Sequence, residues 1–196
     1  MIPFSQEHFG VDEAGRGSWA GPLVVAACYF PTPVSVPTGI FLRDSKQLSP
    51  AQRDRSFEFL QQHCIFSIAS VPAGQISATS IQVATHDAMH RCIVQITRSI
   101  AEKCDGRKAE CLVDGRFSFE LPHQPTFVVR GDATYEVIAA ASIIAKVTRD
   151  AYMKTMAQTY PEYGFELHKG YGTALHYEMI KKHGITPLHR TSYQPM

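Results

Sequence analysis

The sequence predicts an α/β domain built on a mixed sheet. Three observations carry that prediction. Short apolar runs stop at Pro, Asp or Gly; longer segments between them repeat apolar residues every three or four positions; and strands lie early in the chain while helices dominate late.

Phe9 to Val11 is a short apolar lead into Asp12-Glu13-Ala14-Gly15-Arg16-Gly17, so Asp12 and Glu13 end a first strand. Leu23 to Phe30 reads as a buried strand, with adjacent valines and a stop at Pro31. Pro31 to Gly39 carries three prolines and reads as loop. Ser49-Pro50 starts a helix, Ser as N-cap and Pro at the first helical position, running to about Gln62. Ile65 to Val71 is a strand. Ile81 to Lys103 is an amphipathic helix, with Ile81, Ala84, Ala88, Cys92, Ile96 and Ile100 on one stripe. Cys111-Leu112-Val113 is a strand ending at Asp114-Gly115, and Thr126 to Val129 another, ending at Arg130-Gly131-Asp132. Glu136 to about Thr159 is a long helix with small residues, Ala139-Ala140-Ala141-Ser142, in its core. Thr173 to Lys182 is the last helix, closed by Gly184.

The 196 residues suffice for one domain, and 44% hydrophobic with 10% aromatic residues excludes a disordered chain. The longest apolar run, Leu23 to Phe30, is far short of the ~20 residues that span a bilayer. Met1 to Phe9 lacks the pattern of a secretory signal. Five cysteines, an odd number with no CxxC spacing, suggest neither a zinc site nor a disulfide framework, and reduced thiols fit a cytoplasmic protein. The formal net charge of +1 lacks the basic excess usual in proteins that grip nucleic acid.

The informative pattern is the placement of acids at strand ends: Asp12 and Glu13, then Asp114, then Asp132. Ligand sites in α/β sheets collect there. Gathered carboxylates stay ionised together only beside a cation. An all-oxygen set suits Mg²⁺ or Mn²⁺, and such sets often hold two ions for phosphoryl displacement. Each motif also has a plainer reading. Asp114-Gly115 can be only a turn, Gly131-Asp132 a turn plus a helix N-terminal charge. Gly15 and Gly17 can serve a tight turn, or let backbone amides approach a phosphate or sugar with Arg16 between them.

Six blocks resemble the bacterial ribonuclease HII family. They are Gly10-Val11-Asp12-Glu13-Ala14-Gly15-Arg16-Gly17 with Ala20-Gly21-Pro22; Asp44-Ser45-Lys46-Gln47-Leu48-Ser49; Val113-Asp114-Gly115; Gly131-Asp132 with Ile138 to Asp150; His168-Lys169-Gly170-Tyr171-Gly172-Thr173; and His189-Arg190-Thr191-Ser192-Tyr193. The resemblance implies a ribonuclease H-like fold, a mixed five-stranded sheet flanked by helices. It implies an endoribonuclease acting on RNA–DNA hybrids and on single ribonucleotides in duplex DNA, cutting 5′ to the ribonucleotide to leave 3′-hydroxyl and 5′-phosphate ends. It makes Asp12, Glu13, Asp114 and Asp132 the catalytic acids, holding two divalent cations, Mg²⁺ or Mn²⁺. It assigns substrate reading to Gly15, Arg16, Gly17 and Tyr171. Lys46 and Lys169 are candidate phosphate contacts or plain surface lysines. The whole chain is then one catalytic domain whose helical part, about 151–196, contributes to substrate binding. The expected partners are hybrid and ribonucleotide-containing duplexes, with no membrane, and the expected state is a monomer.

Asp150 rivals Asp132 for the fourth position. If Glu136 to Asp150 is one helix, its fourteen steps advance about 21 Å, too far for both acids to join one site. Asp132 is preferred, and Asp150 is expected in a structural ion pair. The chain departs from the family pattern at Ser77 and Ser80, which stand for Asp and Asn, and at Thr134-Tyr135, which stand for Lys-Ser. These changes imply weaker substrate affinity. It ends at Met196, where many relatives continue with a segment that helps hold the duplex. Competing readings are a ribonuclease HIII type, a catalytically dead binding module, and a sugar or acetate kinase. The glycine-arginine-glycine loop, the four acids and the missing nucleotide signature argue against each in turn. Setting the four acids aside leaves 14 acids against 19 bases, so +1 reads as an acidic centre on a basic surface.

Overall fold

Five strands form one sheet in the computed structural model, which describes residues 1–193: β1 (His8–Ala14), β2 (Leu23–Tyr29), β3 (Ile65–Val71), β4 (Glu110–Asp114) and β5 (Thr126–Val128). Their order is β3-β2-β1-β4-β5. β1, β2 and β3 are antiparallel neighbours, whereas β4 and β5 run parallel to β1. This is the mixed, helix-flanked sheet that the sequence predicts.

Helices cover both faces. α3 (Ile81–Lys103) lays Ala84, Ala88, Cys92 and Ile96 against Phe9, Val11, Val25 and Ala27. α5 (Glu136–Thr159), with α1 (Pro50–His63) beside it, packs Ile138, Ala141 and Ile144 against Ala26, Cys28 and Leu112. The alternation of side chains along each strand separates these two cores. β2 is buried along its whole length because it is covered on both sides. A Cβ at Gly10 would strike the backbone of Val137 and Ile138, so glycine there lets the start of α5 rest directly on β1.

The elements agree with the sequence reading, and the differences lie at their ends. α1 is held at its start by a reciprocal box between Ser49 and Gln52 and runs one residue further, to His63. β1 continues to Ala14, which pairs with Val24, so Asp12 and Glu13 sit inside its last three residues. β5 stops at Val128 and Val129 is exposed, so Asp132 lies four residues past the strand. It occupies the first turn of the short α4 (Gly131–Thr134). Thr173 is the N-cap of α7 (Ala174–His183) rather than its first turn, its hydroxyl accepting from the His176 amide. Two further short helices lacked a sequence signal: α2 (Ala73–Ala78) and α6 (Phe165–His168).

The chain beyond the middle of α5 gathers on a third, smaller core of Ala20, Met153, Tyr163 and Phe165. Ala20 comes from the β1–β2 connection, so this helical part is joined to the loop that follows Asp12 and Glu13. Among the described residues no helix is long and apolar enough to cross a membrane.

Candidate active site

Val11 of β1 lies opposite Val113 of the parallel β4, which sets Asp12 and Asp114 side by side at the same end of the sheet. The two-residue period turns both toward the α5 face, where Ala14 and Leu112 also lie. Asp12 Oδ1 accepts from the Glu13 amide at 2.7 Å. Asp114 Oδ1 accepts from the Gly131 amide at 2.6 Å and so ties the start of α4 to the end of β4. Arg130 makes the turn into α4 in the left-handed region (φ 56°), an uncommon conformation for a non-glycine residue. These restraints bring Asp132 close to Asp114, whose charge it feels.

The site resists negative charge. Burial pushes the Asp12 carboxyl well above its usual range, and repulsion from Glu13 and Asp114 pushes it further. Burial also raises Glu13, to about 7; Arg16 and Lys46 pull against the rise while Asp114 adds to it. Asp132 is raised by burial, then by Asp114 and Asp44. Burial would lower the Lys46 ammonium, but Asp12, Asp44 and Asp132 hold it above its ordinary value.

These residues fit a hard divalent cation. Glu13 Oε2 is buried with no hydrogen-bond partner among the described residues, and the donors are all carboxylate oxygens. The acids do not close into a ready-made cage: among the described residues, no three His, Cys, Asp or Glu are placed to hold an ion as they stand. Mutually repelling carboxylates behave in this way.

The raised Glu13 gives a pH-dependent expectation for cation-free protein. An acid harder to ionise in the fold leaves stability intact below its unfolded pKa near 4.5 and costs stability as pH rises toward 7. Glu13→Gln should therefore be more stable than the parent by ~2–3 kcal/mol at pH 8, and the gain should largely vanish at pH 4.5. Urea unfolding in chelator at the two pH values measures this. A gain independent of pH would contradict it.

Gly15-Arg16-Gly17 follows β1 as a loop. Gly15 has φ +91°, and a Cβ there would run into the Arg149 side chain and the Pro22 carbonyl. The Arg16 carbonyl accepts from Arg190 Nη1 (3.0 Å) and the Tyr193 hydroxyl (2.7 Å). Its guanidinium lies 3.9 Å from Glu13 Oε1 and packs over the Phe117 ring. A cleft of about 330 Å³ is lined by Glu13, this loop, Ser45, Lys46, Ser142, Lys146 and Tyr171. The Tyr171 ring faces the Lys146 ammonium at 5.4 Å and the Arg149 guanidinium at 5.2 Å.

Nine of the ten residues singled out in the sequence thus surround the strand-end acids or line the adjoining cleft. Lys169 does not line it. Its ammonium donates to the Glu166 carbonyl, and it borders a neighbouring recess with Asp150 and Lys154. Asp150 forms the expected ion pair, 2.8 Å from Lys146. The departures have structural partners. Ser77 accepts from the Thr191 amide, Ser80 caps α3, Thr134 donates to the Arg130 carbonyl, and Tyr135 joins the core beside α5.

Sequence reasoning missed Lys146, Ser142, Asp44 and the two buried arginines. Lys146 was discoverable, because helical spacing puts it one turn from both Ser142 and Asp150. Arg149 and Arg190 had little local signal, since most of their partners lie more than a hundred residues away: carbonyls of Ala20 and Pro22 for the first, Gly21 and Arg16 for the second, with the Lys169 carbonyl and the Tyr193 hydroxyl as the nearer ones.

Comparison with known proteins agrees with this geometry. The family model for ribonuclease HII matches residues 9–196. Ribonuclease HII of Marinomonas sp. (strain MWYL1) is 46% identical over 189 residues, covering 95% of this chain and 89% of that protein. Ribonuclease HII of Dichelobacter nodosus (strain VCS1703A) is 42% identical over 188 residues, covering 95% and 94%. Among solved structures, the ribonuclease H2 from Pyrococcus horikoshii OT3 superposes with a TM-score of 0.71 at 27% identity, covering 95% of this chain and 93% of that one. Bst-RNase HIII, in complex with Mn²⁺, superposes with a TM-score of 0.77 over 97% of this chain and 68% of that one; at 18% identity it shares the fold alone. With most of its length matched by the family model and by these relatives, the chain belongs to the ribonuclease HII family and is a nuclease, a hydrolase of ribonuclease H type.

Proposed function

We propose that this protein is a metal-dependent endoribonuclease that cuts RNA in RNA–DNA hybrids and single ribonucleotides embedded in duplex DNA. Cleavage falls 5′ to the ribonucleotide and leaves 3′-hydroxyl and 5′-phosphate ends. The observation that carries this reading is the gathering of Asp12, Glu13 and Asp114 at one end of the sheet, with Asp132 beside Asp114, next to the Gly15-Arg16-Gly17 loop and the cleft holding Tyr171.

The four acids hold two divalent cations, Mg²⁺ or Mn²⁺; a solved relative of the same fold is described as a complex with Mn²⁺. When bound, such cations activate a water and neutralise charge on the leaving oxygen. The chain's own residues do the rest. Asp12 and Asp114 each commit one carboxylate oxygen to a backbone amide, which fixes its direction. Lys46, kept charged by the acids around it, meets a phosphate. The glycine loop lets backbone groups approach the 2′-hydroxyl, the one group that separates RNA from DNA at a given position. Tyr171 packs on the neighbouring sugar and favours a deoxyribose there. The helical C-terminal part contributes to duplex binding, and the enzyme works as a cytoplasmic monomer.

The decisive experiment compares three duplexes: one embedded ribonucleotide, a continuous hybrid, and DNA alone. Each is incubated with Mg²⁺, Mn²⁺ or chelator, and the ends are analysed. The first two should be cut with either cation and the third never. A protein that cut the hybrid but left the single ribonucleotide intact would overturn the junction reading in favour of a ribonuclease HIII type. Lys46→Ala should weaken duplex binding alike for different sequences and reduce the slope of log affinity against log salt by about one. Fluorescence anisotropy on a non-cleaving background measures both.

A further inference from the structure

Three polar groups of the backbone around Tyr171 are held by buried side chains, and the Tyr171 carbonyl also accepts from the Thr173 amide at 2.9 Å. The Lys169 carbonyl accepts from Arg149 Nη1 at 2.9 Å, the Gly170 amide donates to His168 Nδ1 at 3.1 Å, and the Tyr171 carbonyl lies 3.0 Å from His176 Nδ1. Lys169 is itself in the left-handed region (φ 51°), a strained conformation that persists only where its surroundings over-determine it.

The protons in this cluster can be assigned from the chain of donors. The Thr186 amide donates to His189 Nδ1 at 2.8 Å, so that nitrogen is an acceptor and neutral His189 carries its proton on Nε2. His189 Nε2 lies 3.1 Å from His176 Nε2, which must therefore accept. Neutral His176 then carries its proton on Nδ1 and donates it to the Tyr171 carbonyl. Both rings are buried, and burial lowers His189 and takes His176 down to about 4, so both are neutral at pH 7. His168 stacks on His176, ring centroids 4.4 Å apart, and backs the arrangement.

We propose that His176 and His189 are positioning residues for Tyr171, a directed hydrogen-bond relay from the Thr186 amide through both imidazoles that sets the tyrosine backbone and hence its ring in the cleft. Neither imidazole need touch substrate. The inference rests on the reading of Tyr171 as a substrate contact, and it assigns the support of that contact to a specific pair of tautomers.

Two measurements test it. Nitrogen-15 imidazole spectra of the intact protein at pH 7 should report His189 protonated at Nε2 and His176 at Nδ1. His176 protonated at Nε2 would overturn the relay, whatever any variant does. The second measurement is a double-mutant cycle on a duplex with one ribonucleotide. His176→Phe and Tyr171→Ala should each lower kcat/KM by about tenfold, and the double variant should be no worse than Tyr171→Ala alone. His176→Asn, whose amide can take the place of the Nδ1 donor, should recover most of the loss. Additive losses with a costly Tyr171→Ala would overturn the relay and leave the tyrosine reading standing. A Tyr171→Ala protein with unchanged kcat/KM would overturn the tyrosine reading, and the relay's role with it.

Discussion

Asp12→Asn should abolish cleavage and at the same time make the cation-free protein harder to unfold. The substitution is isosteric, and an Asn side-chain oxygen can still accept from the Glu13 amide as Asp12 Oδ1 does. What disappears is the charge. Asp12 is buried, and its carboxyl is pushed up by burial and then by Glu13 and Asp114. A neutral amide removes that penalty, so thermal unfolding in chelator at pH 8 should occur at a higher temperature than in the parent. Function moves the other way. An amide is a poor ligand for a hard cation, and the loss of one acid from such a set should cost at least ~10³-fold in kcat. Added Mg²⁺ should stabilise the parent, because anything that binds the native state alone stabilises it, and should stabilise the variant less. A variant that still cuts at the parental rate would remove Asp12 from the chemistry. A variant with unchanged stability in chelator would remove the claim that the site is strained by its own charge.

The legibility of this site in the sequence follows from which contacts are local. Asp12-Glu13 at the end of an apolar run, and Asp114 one residue past Val113, can be placed at strand ends because the period of a strand is short and its stop is marked by Gly. Their meeting depends only on β1 and β4 being neighbours. Asp132 was legible as an acid near a strand end but not as part of α4. That short helix depends on the Asp114–Gly131 hydrogen bond and on the left-handed turn at Arg130, both tertiary in origin. α2 and α6 span too few residues to display a helical period. His176 and His189 stand thirteen residues apart and lie on separate elements, so only the fold reveals that one ring accepts from the other.

Arg149→Met should both destabilise the protein and slow the reaction, although the guanidinium is buried and touches no catalytic acid. Arg149 is fully buried and, among the described residues, has no carboxylate partner at hydrogen-bond distance; its planar fork serves three carbonyls, Pro22 through Nε, Ala20 through Nη2 and Lys169 through Nη1. These carbonyls belong to the two segments that form the cleft walls, the loop after β1 and the stretch leading to Tyr171. Burial lowers the group to about 10, still well above neutrality, so it remains charged and keeps all its donors. Methionine fills similar space but leaves three acceptors unpaired, each worth roughly 1–3 kcal/mol, offset in part because a buried charge is removed. A net loss of about 3 kcal/mol corresponds to a fall in Tm of roughly 6–12 °C for a chain of this size. Kinetics measured well below that Tm should still show kcat/KM down about 100-fold, since a displacement near 1 Å of the substrate-reading groups is enough for a loss of that size. Arg149→Lys keeps the charge but not the fork, so it should recover part of the stability and little of the rate. If Arg149→Met matched the parent in both Tm and kcat/KM, the two cleft walls would have to be held by Arg190 and the strand ladder without it.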